Sequence, residues 1–453
     1  MSLRGVSSQR GRSHVQAHSC SAYLLHSRRT RKTKMSQVLH FLLVSLLTIS
    51  LVRGVEQDFT WHLRKLPQIL NQRTVHLESP RFEAETKLEL NGTCAIECQK
   101  RLSPPSLSEL EEYLSYETVF ENGTRTMTRV NVQGLSPDML TEEGTATGRT
   151  RRKRQVYGTD SRFNIADKHF MTNFPFSTAV KISSGCSGIL ISPKHILTAA
   201  HCIHDGRDYV KTGKKLRVGL MKMRSKGAGG KKRRGGKRNS KVSSNDKQHI
   251  DDTSELRGRS IAKRSAEDGK RNKGSKRNKG SGDGKPSFQW TRVKSTHIPK
   301  GWFKETSDEV ALDYDYAVLE LKRPHKKKYM DLGISIPIQK MPGSRVHFSG
   351  FDDDRPGQLV YRFCSVSDES NHLFYQYCDA EPGSSGSGIY IRLKDPINKK
   401  KWKRKIVAIY SGHQWVDVNG VQQDYNVAVR ITPLKYAQIC LWIHGNDADC
   451  TLG

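Results

Sequence analysis

The sequence predicts a mostly antiparallel β domain that ends in a single helix. From Tyr157 onward, short apolar runs such as Thr178–Ile182, Ser187–Ile191 and Lys405–Tyr410 recur between Gly, Pro, Asn and Asp turn signals, with no long helical period. The carboxyl end breaks that pattern. Thr432 stands as an N-cap before Pro433 at the first helical position, and Leu434, Ala437, Ile439 and Trp442 follow before Gly445. At 453 residues the chain has material for one large domain or two small ones.

The amino end carries an address. An apolar run from Val38 to Val52 follows the basic stretch RRTRKTK, and Val52 and Gly54 suit a signal-peptidase cut after Gly54. Residues 35–54 are therefore expected to be a signal peptide, and the run is too short for a stable membrane span. Residues 1–34 form a basic upstream extension, and translation from Met35 is the alternative start. Of nine cysteines, Cys20 precedes the signal. The other eight are an even set, as an oxidising compartment favours. Asn91-Gly-Thr93 and Asn122-Gly-Thr124 are glycosylation acceptors that fit the same compartment. The expected location is extracellular.

A second cut is written at Arg151-Arg-Lys-Arg154, four cations that an acidic, furin-like convertase groove would bind. Residues 55–154 are then a propeptide and residues 155–453 a domain beginning at Gln155. Within the propeptide, Pro104–Tyr113 has a helix start with early acidic residues.

Net charge is +32, unevenly spread. Residues 225–286 hold 20 Lys and Arg against 7 Asp and Glu, with KRNKGS written twice from Lys270. The stretch is nearly free of aromatic and β-branched apolar residues, which predicts a disordered insertion unable to bury enough surface to order itself. Basic charge of this density suits polyanions. In an extracellular setting the expected partner is heparan sulfate or matrix rather than nucleic acid; a merely solvated insertion is the other reading.

Three motifs carry chemistry. The first is Gly185-Cys-Ser-Gly, followed by Leu197-Thr-Ala-Ala-His-Cys202. The second is Asp315-Tyr-Ala-Val-Leu-Glu-Leu321, with His297-Ile-Pro-Lys-Gly-Trp302 upstream. The third is Gly383-Ser-Ser-Gly386. Acyl transfer by serine needs a hydroxyl, an imidazole to take its proton, and a carboxylate to hold the imidazole's tautomer. In type and order the motifs resemble the chymotrypsin-like serine proteases of peptidase family S1. The resemblance implies a double antiparallel β-barrel, no cofactor or metal, a Cys186–Cys202 disulfide, His201 as general base, Asp315 as its orienting carboxylate and Ser385 as nucleophile. The N–H groups of Gly383 and Ser385 would form the oxyanion hole. Asp313 competes with Asp315 from two residues away. Cys364–Cys378 and Cys440–Cys450 are expected pairs from proximity in the chain alone.

Two departures from the family pattern agree with each other. Trypsin-like zymogens free an Ile amino group that pairs with the aspartate before the nucleophile. Here the new terminus would be Gln155, prone to cyclise, and Ser384 holds the aspartate position. An amino cation buried opposite serine would be unpaired, so the usual salt-bridge switch is not expected. Asp379, Ser411 and His413 are candidates for the substrate pocket, with Asp379 alternatively a hydrogen-bond acceptor of its loop. The expected activity is a secreted serine endopeptidase acting on proteins or peptides. The alternative is a catalytically inactive homologue that binds extracellular or matrix partners; some members of the resembling group carry threonine at the nucleophile position.

Overall fold

The computed structural model describes residues 64–86, 99, 102–136, 160–223, 286–303, 308–341, 345–395, 398, 401–418, 421–446, 448–451 and 453. The expected signal peptide, Asn91, Cys94, Cys98, Arg154, Gln155 and nearly all of the basic insertion lie outside these residues.

The amino-terminal portion supplies β1 (Gln68–Leu77), β2 (Tyr116–Phe120) and β3 (Arg125–Gln133), and β4 (Phe163–Ile165) follows. The first barrel consists of β5 (Ala179–Ile182), β6 (Ser187–Leu190), β7 (His195–Thr198), β8 (Arg217–Met223), β9 (Pro286–Pro299) and β10 (Ala317–Leu321). Its order is β9-β10-β7-β6-β5-β8, closed by pairing of β8 with β9. After the short β11 (Asp331–Leu332), the second barrel uses β12 (Arg345–Gly350), β13 (Leu359–Glu369), β14 (Leu373–Gln376), β15 (Gly388–Lys394), β16 (Trp402–Val418) and β17 (Val421–Arg430). It runs β16-β15-β12-β13-β14-β17 and closes by pairing of β16 with β17. Two closed six-stranded antiparallel barrels are the double-barrel architecture that the motifs imply. Closure pairs the outermost strands of each barrel with one another, β8 with β9 and β16 with β17.

Both barrels carry fully buried apolar side chains. Val180, Ile182, Leu190, Ile196, Leu197, Val218 and Leu319 are fully buried in the first, and Phe348, Ile391, Val407 and Ala428 in the second. The Leu107–Leu114 helix starts at a capping box. Ser106 Oγ accepts from Glu109 N, and Glu109 Oε2 accepts from Ser106 N at 2.8 Å. The Pro433–His444 helix is capped by Thr432 and stops at Gly445 in a left-handed conformation, as expected from the sequence.

The amino-terminal portion is not a separate unit. β2 pairs with Ser295–Pro299 of β9, beyond the residues that β8 covers, and β3 and β1 extend the sheet outward. The stretch expected to be a propeptide is thus woven into the first barrel's sheet. Composition hides this, because β2 and β3 read as ordinary amphipathic strands whichever partner they join.

Candidate active site

His201 lies in the tight turn Ala200–Cys202 directly after β7. Ala199 and Ala200 are completely buried, so the turn packs close against the barrel. The Cys186–Cys202 disulfide ties it to the residue before β6. The turn Leu312–Tyr314 delivers Asp315 to the start of β10. His201 Nδ1 stands 2.8 Å from Asp315 Oδ2, and the His201 backbone N–H donates to Asp315 Oδ1 at 2.9 Å. Ser411 Oγ donates to Asp315 Oδ2 at 2.6 Å. The fully buried carboxylate therefore takes three hydrogen bonds. Facing a carboxylate, Nδ1 carries the proton and Nε2 is left as the basic nitrogen.

Ser385 comes from the loop before β15, on the second barrel. The loop is clamped to the first barrel through Ser187: its N–H donates to Ser385 O at 2.8 Å and its Oγ to Gly383 O at 2.7 Å. The same Oγ accepts from Phe351 N at 2.8 Å. Gly386 has φ +80°, and a Cβ there would lie 2.1 Å from Thr198 Oγ1 and 2.4 Å from Ser187 O. Glycine at this position lets the nucleophile loop touch the histidine strand. Gly383 has φ +93°, and a Cβ there would meet Phe351 O at 2.5 Å. Among the described residues, the N–H groups of Gly383 and Ser385 donate to no protein acceptor, as an oxyanion hole requires. His201 Nε2 lies 3.8 Å from Cys202 Sγ and, among the described residues, makes no hydrogen bond to Ser385 Oγ.

A different set of charges surrounds the position where the family keeps its aspartate. Ser384 is fully buried and closes on its own loop, donating to Glu381 O at 2.6 Å. Nearby, Arg162 Nη1 reaches Asp352 Oδ2 at 2.8 Å, and Arg162 Nη2 reaches Asp354 Oδ2 at 2.8 Å. Arg362, itself fully buried, pairs with Asp352 from the other side and lies over the Phe348 ring. The Asp352 turn in turn carries the nucleophile loop, because Asp353 N donates to Pro382 O at 2.7 Å.

The remaining site candidates fall as follows. Asp379 is buried and accepts from both the N–H and the Oγ of Ser161, each at 2.7 Å. It is a loop acceptor, the second of the two roles its sequence allows. Ser411 gives its hydroxyl to Asp315. His413, partly exposed, pairs with Asp424 across the β16–β17 ladder. Cys364–Cys378 and Cys440–Cys450 are formed. Asn122 is exposed at the tip of the β2–β3 hairpin, where a glycan would be accessible. Asp313 stays out of the triad. Burial pushes its acid up to about 7, partly opposed by Lys435, whose own ammonium burial pushes down to about 7. Cys186, His201 and Cys202 cluster tightly, but both sulfurs are spent in the disulfide and hold no metal.

Ser187, Arg162, Asp352 and Arg362 were not legible as site residues. Ser187 belongs to an ordinary strand, and nothing in Asp160-Ser-Arg162 marks that arginine for burial.

A family model described as Trypsin matches residues 166–255. The chain is 67% identical over 401 residues to "Inactive serine protease 35" of Macaca mulatta, covering 88% of this chain and 95% of that one. The Homo sapiens protein of the same name is 65% identical over 399 residues, with the same coverage. "Serine protease 23" of Mus musculus is 49% identical over 399 residues, covering 87% and 92%. A solved Glu endopeptidase in complex with MPD overlaps at TM-score 0.39 and 18% identity, covering 63% of this chain and 98% of that chain. With its two barrels, its His201–Asp315 pair and these full-length relatives, the chain belongs to the trypsin-type serine proteases, on the branch of serine protease 35 and serine protease 23.

Proposed function

We propose that the chain is an extracellular protein of the trypsin fold that works by binding, with its triad residues assembled but idle. This reverses the preference for an endopeptidase that the motifs alone favour. The observation that carries it is the set of relatives that bear the name inactive, and the unmade contact at the centre of the site agrees. His201 is held by Asp315 on one side, yet its Nε2 is beside Cys202 Sγ and unbonded to Ser385 among the described residues. Relatives 62–67% identical over most of their length bear the name inactive, which supports the same reading. Sulfated glycans or other acidic matrix polymers suit the basic segment 225–286, with its net 13 positive charges. Secretion through the 35–54 signal is consistent with three disulfides among the described residues.

A second reading, hydrolysis by Ser385, is favoured by the three-bond seat of Asp315 and the uncommitted N–H groups of Gly383 and Ser385. Catalytic hydrogen bonds can tighten only once substrate is bound. In this reading the internal Arg162–Asp352 pair stands in for a newly freed terminus. Fluorophosphonate labelling of convertase-treated protein separates the two. No label is expected; a label that disappears in Ser385→Ala overturns the binding reading. Retention on heparin that is unchanged by deletion of 225–286 would remove that segment as the glycan contact.

A further inference from the structure

We infer that the amino-terminal portion, residues 64–86 and 102–136, remains bound as a second chain when the link at Arg154 is cut. It is thus a permanent subunit of the barrel domain and not a propeptide that leaves. The inference rests on the processing reading of Arg151–Arg154 for the cut, but its physical basis lies in the barrel.

Three backbone seams hold the portion in place. β2 pairs with Ser295–Pro299 of β9, flanked by Glu121 N to Lys294 O at 2.9 Å and Lys300 N to Ser115 O at 2.6 Å. Ala84 bridges the loop that follows His201: Ala84 N donates to Tyr209 O at 3.1 Å, and Lys211 N donates to Ala84 O at 2.8 Å. Arg64 and Gly453 exchange two backbone hydrogen bonds at 3.0 and 3.1 Å, and Leu66 N donates to Thr451 O. Withdrawal would bare the peptide groups of three segments at once, one of them a strand edge.

Side chains make the contact a piece of core. Ile69, Leu110, Leu114, Tyr116 and Val119 are buried in the same cluster as Ile298, Tyr314, Tyr316 and Trp442. Polar groups on the barrel side depend on it too. Gln438 donates its Nε2 hydrogen to Leu114 O while accepting from Tyr316 OH. Tyr209 OH donates to Glu117 Oε2 at 2.9 Å, and His297 Nδ1 is 2.9 Å from Thr118 Oγ1. Buried polar groups left without partners oppose release as strongly as the bared apolar surface does.

The contact also reaches the site. Tyr314 and Tyr316 bracket Asp315, and the Tyr113 ring packs on Tyr314 with centroids 5.4 Å apart. Phe82 packs on Tyr209, in the loop after His201, at 5.8 Å. A cut at Arg154 would therefore leave the supports of both His201 and Asp315 in place.

The test uses the full chain with Cys94 and Cys98 changed to Ser, so that no disulfide can join the two pieces. After treatment with a furin-class convertase, a denaturing gel should show two fragments. Size-exclusion chromatography in native buffer should show them in one peak at the elution volume of uncut protein. Separate elution of the smaller fragment overturns the inference. If the denaturing gel shows a single uncut chain, the processing reading fails by itself. Residues 55–154 and 155–453 are then produced together as two chains: co-purification supports retention, and independent elution overturns it. In that pair, Tyr116→Asp should raise the dissociation constant at least tenfold, and an unchanged constant counts against the β2 seam.

Discussion

Arg162 and Asp352 form a buried ion pair, Nη1 to Oδ2 at 2.8 Å, with the arginine side chain 4% exposed and the aspartate 0%. The pair lies behind the nucleophile loop, where trypsin-like enzymes bury a freed terminus against an aspartate. In this chain the cation is a side chain seven positions beyond Gln155, so it is present before any cut.

Removing that cation leaves Asp352 with Arg362 as its remaining buried partner, and losing a hydrogen bond to a charged group costs about 1.5–3 kcal/mol. Arg162→Met should lower the urea midpoint accordingly. Arg154→Ala, which blocks the cut, should leave the midpoint unchanged. Equal midpoints for Arg162→Met and the parent protein would mean that the pair does not hold the loop.

Gly386→Ala puts a Cβ into a space already filled by Thr198 Oγ1 and Ser187 O, at φ +80°. The backbone conformation alone costs about 1–3 kcal/mol, and the clash adds to it. Thermal melting should report a clear loss of stability, together with weaker protection of the Ser187 amide in hydrogen exchange. Parent-like melting with an unchanged Ser187 amide would show that the loop can lift from the histidine strand without cost.

Acid should destabilise the domain well above the carboxylate range. Burial pushes the imidazole of His204 down to about 3, and those of His195, His297 and His347 down to about 4. Unfolded histidines titrate near 6.5. Because the folded values are lower, the stability these rings contribute is fully present above pH 6.5 and is lost as pH falls towards 4. His204, whose Nδ1 accepts from Gly206 N at 3.0 Å, should account for on the order of 3 kcal/mol of that loss. Urea midpoints compared at pH 7.5 and 5.0 test this, and His204→Gln should reduce the difference, the other three histidines keeping the rest. A wild-type midpoint that does not move between those two values rules the mechanism out.

Ser161→Ala takes one of the two Ser161 donors from the buried carboxylate of Asp379 and leaves the backbone N–H. A loss of about 1–2 kcal/mol is expected in chemical denaturation. Asp379→Asn should cost a similar amount, and the double variant should cost less than the sum of the two. Full additivity would show that the two residues do not act together.

Much of the site was legible because its requirements are local. The L-T-A-A-H-C turn needs small residues beneath its histidine, and G-S-S-G needs glycines in left-handed backbone at a close approach. Both requirements are written in contiguous residues. The helix at Pro433–His444 was legible for the same reason, since its cap, first proline and terminal glycine are neighbours in the chain. The role of Ser411 was not. It sits 96 positions from Asp315, and its hydroxyl becomes part of the carboxylate's seat only when β16 closes beside the start of β10.

The sequence by itself determined a β-rich domain ending in one helix, because turn chemistry and strand alternation act over short distances; its resemblance to the chymotrypsin-like family then implied the double barrel, the roles of His201, Asp315 and Ser385, and the Cys186–Cys202 pair. Only the tertiary structure decided the rest: that Asp379 is closed by Ser161, that Arg162 pairs with Asp352, and that β1, β3 and β2 extend the first barrel's sheet. Each of these depends on which distant backbone edge or buried charge is left without a partner once the barrels close. No local pattern encodes that.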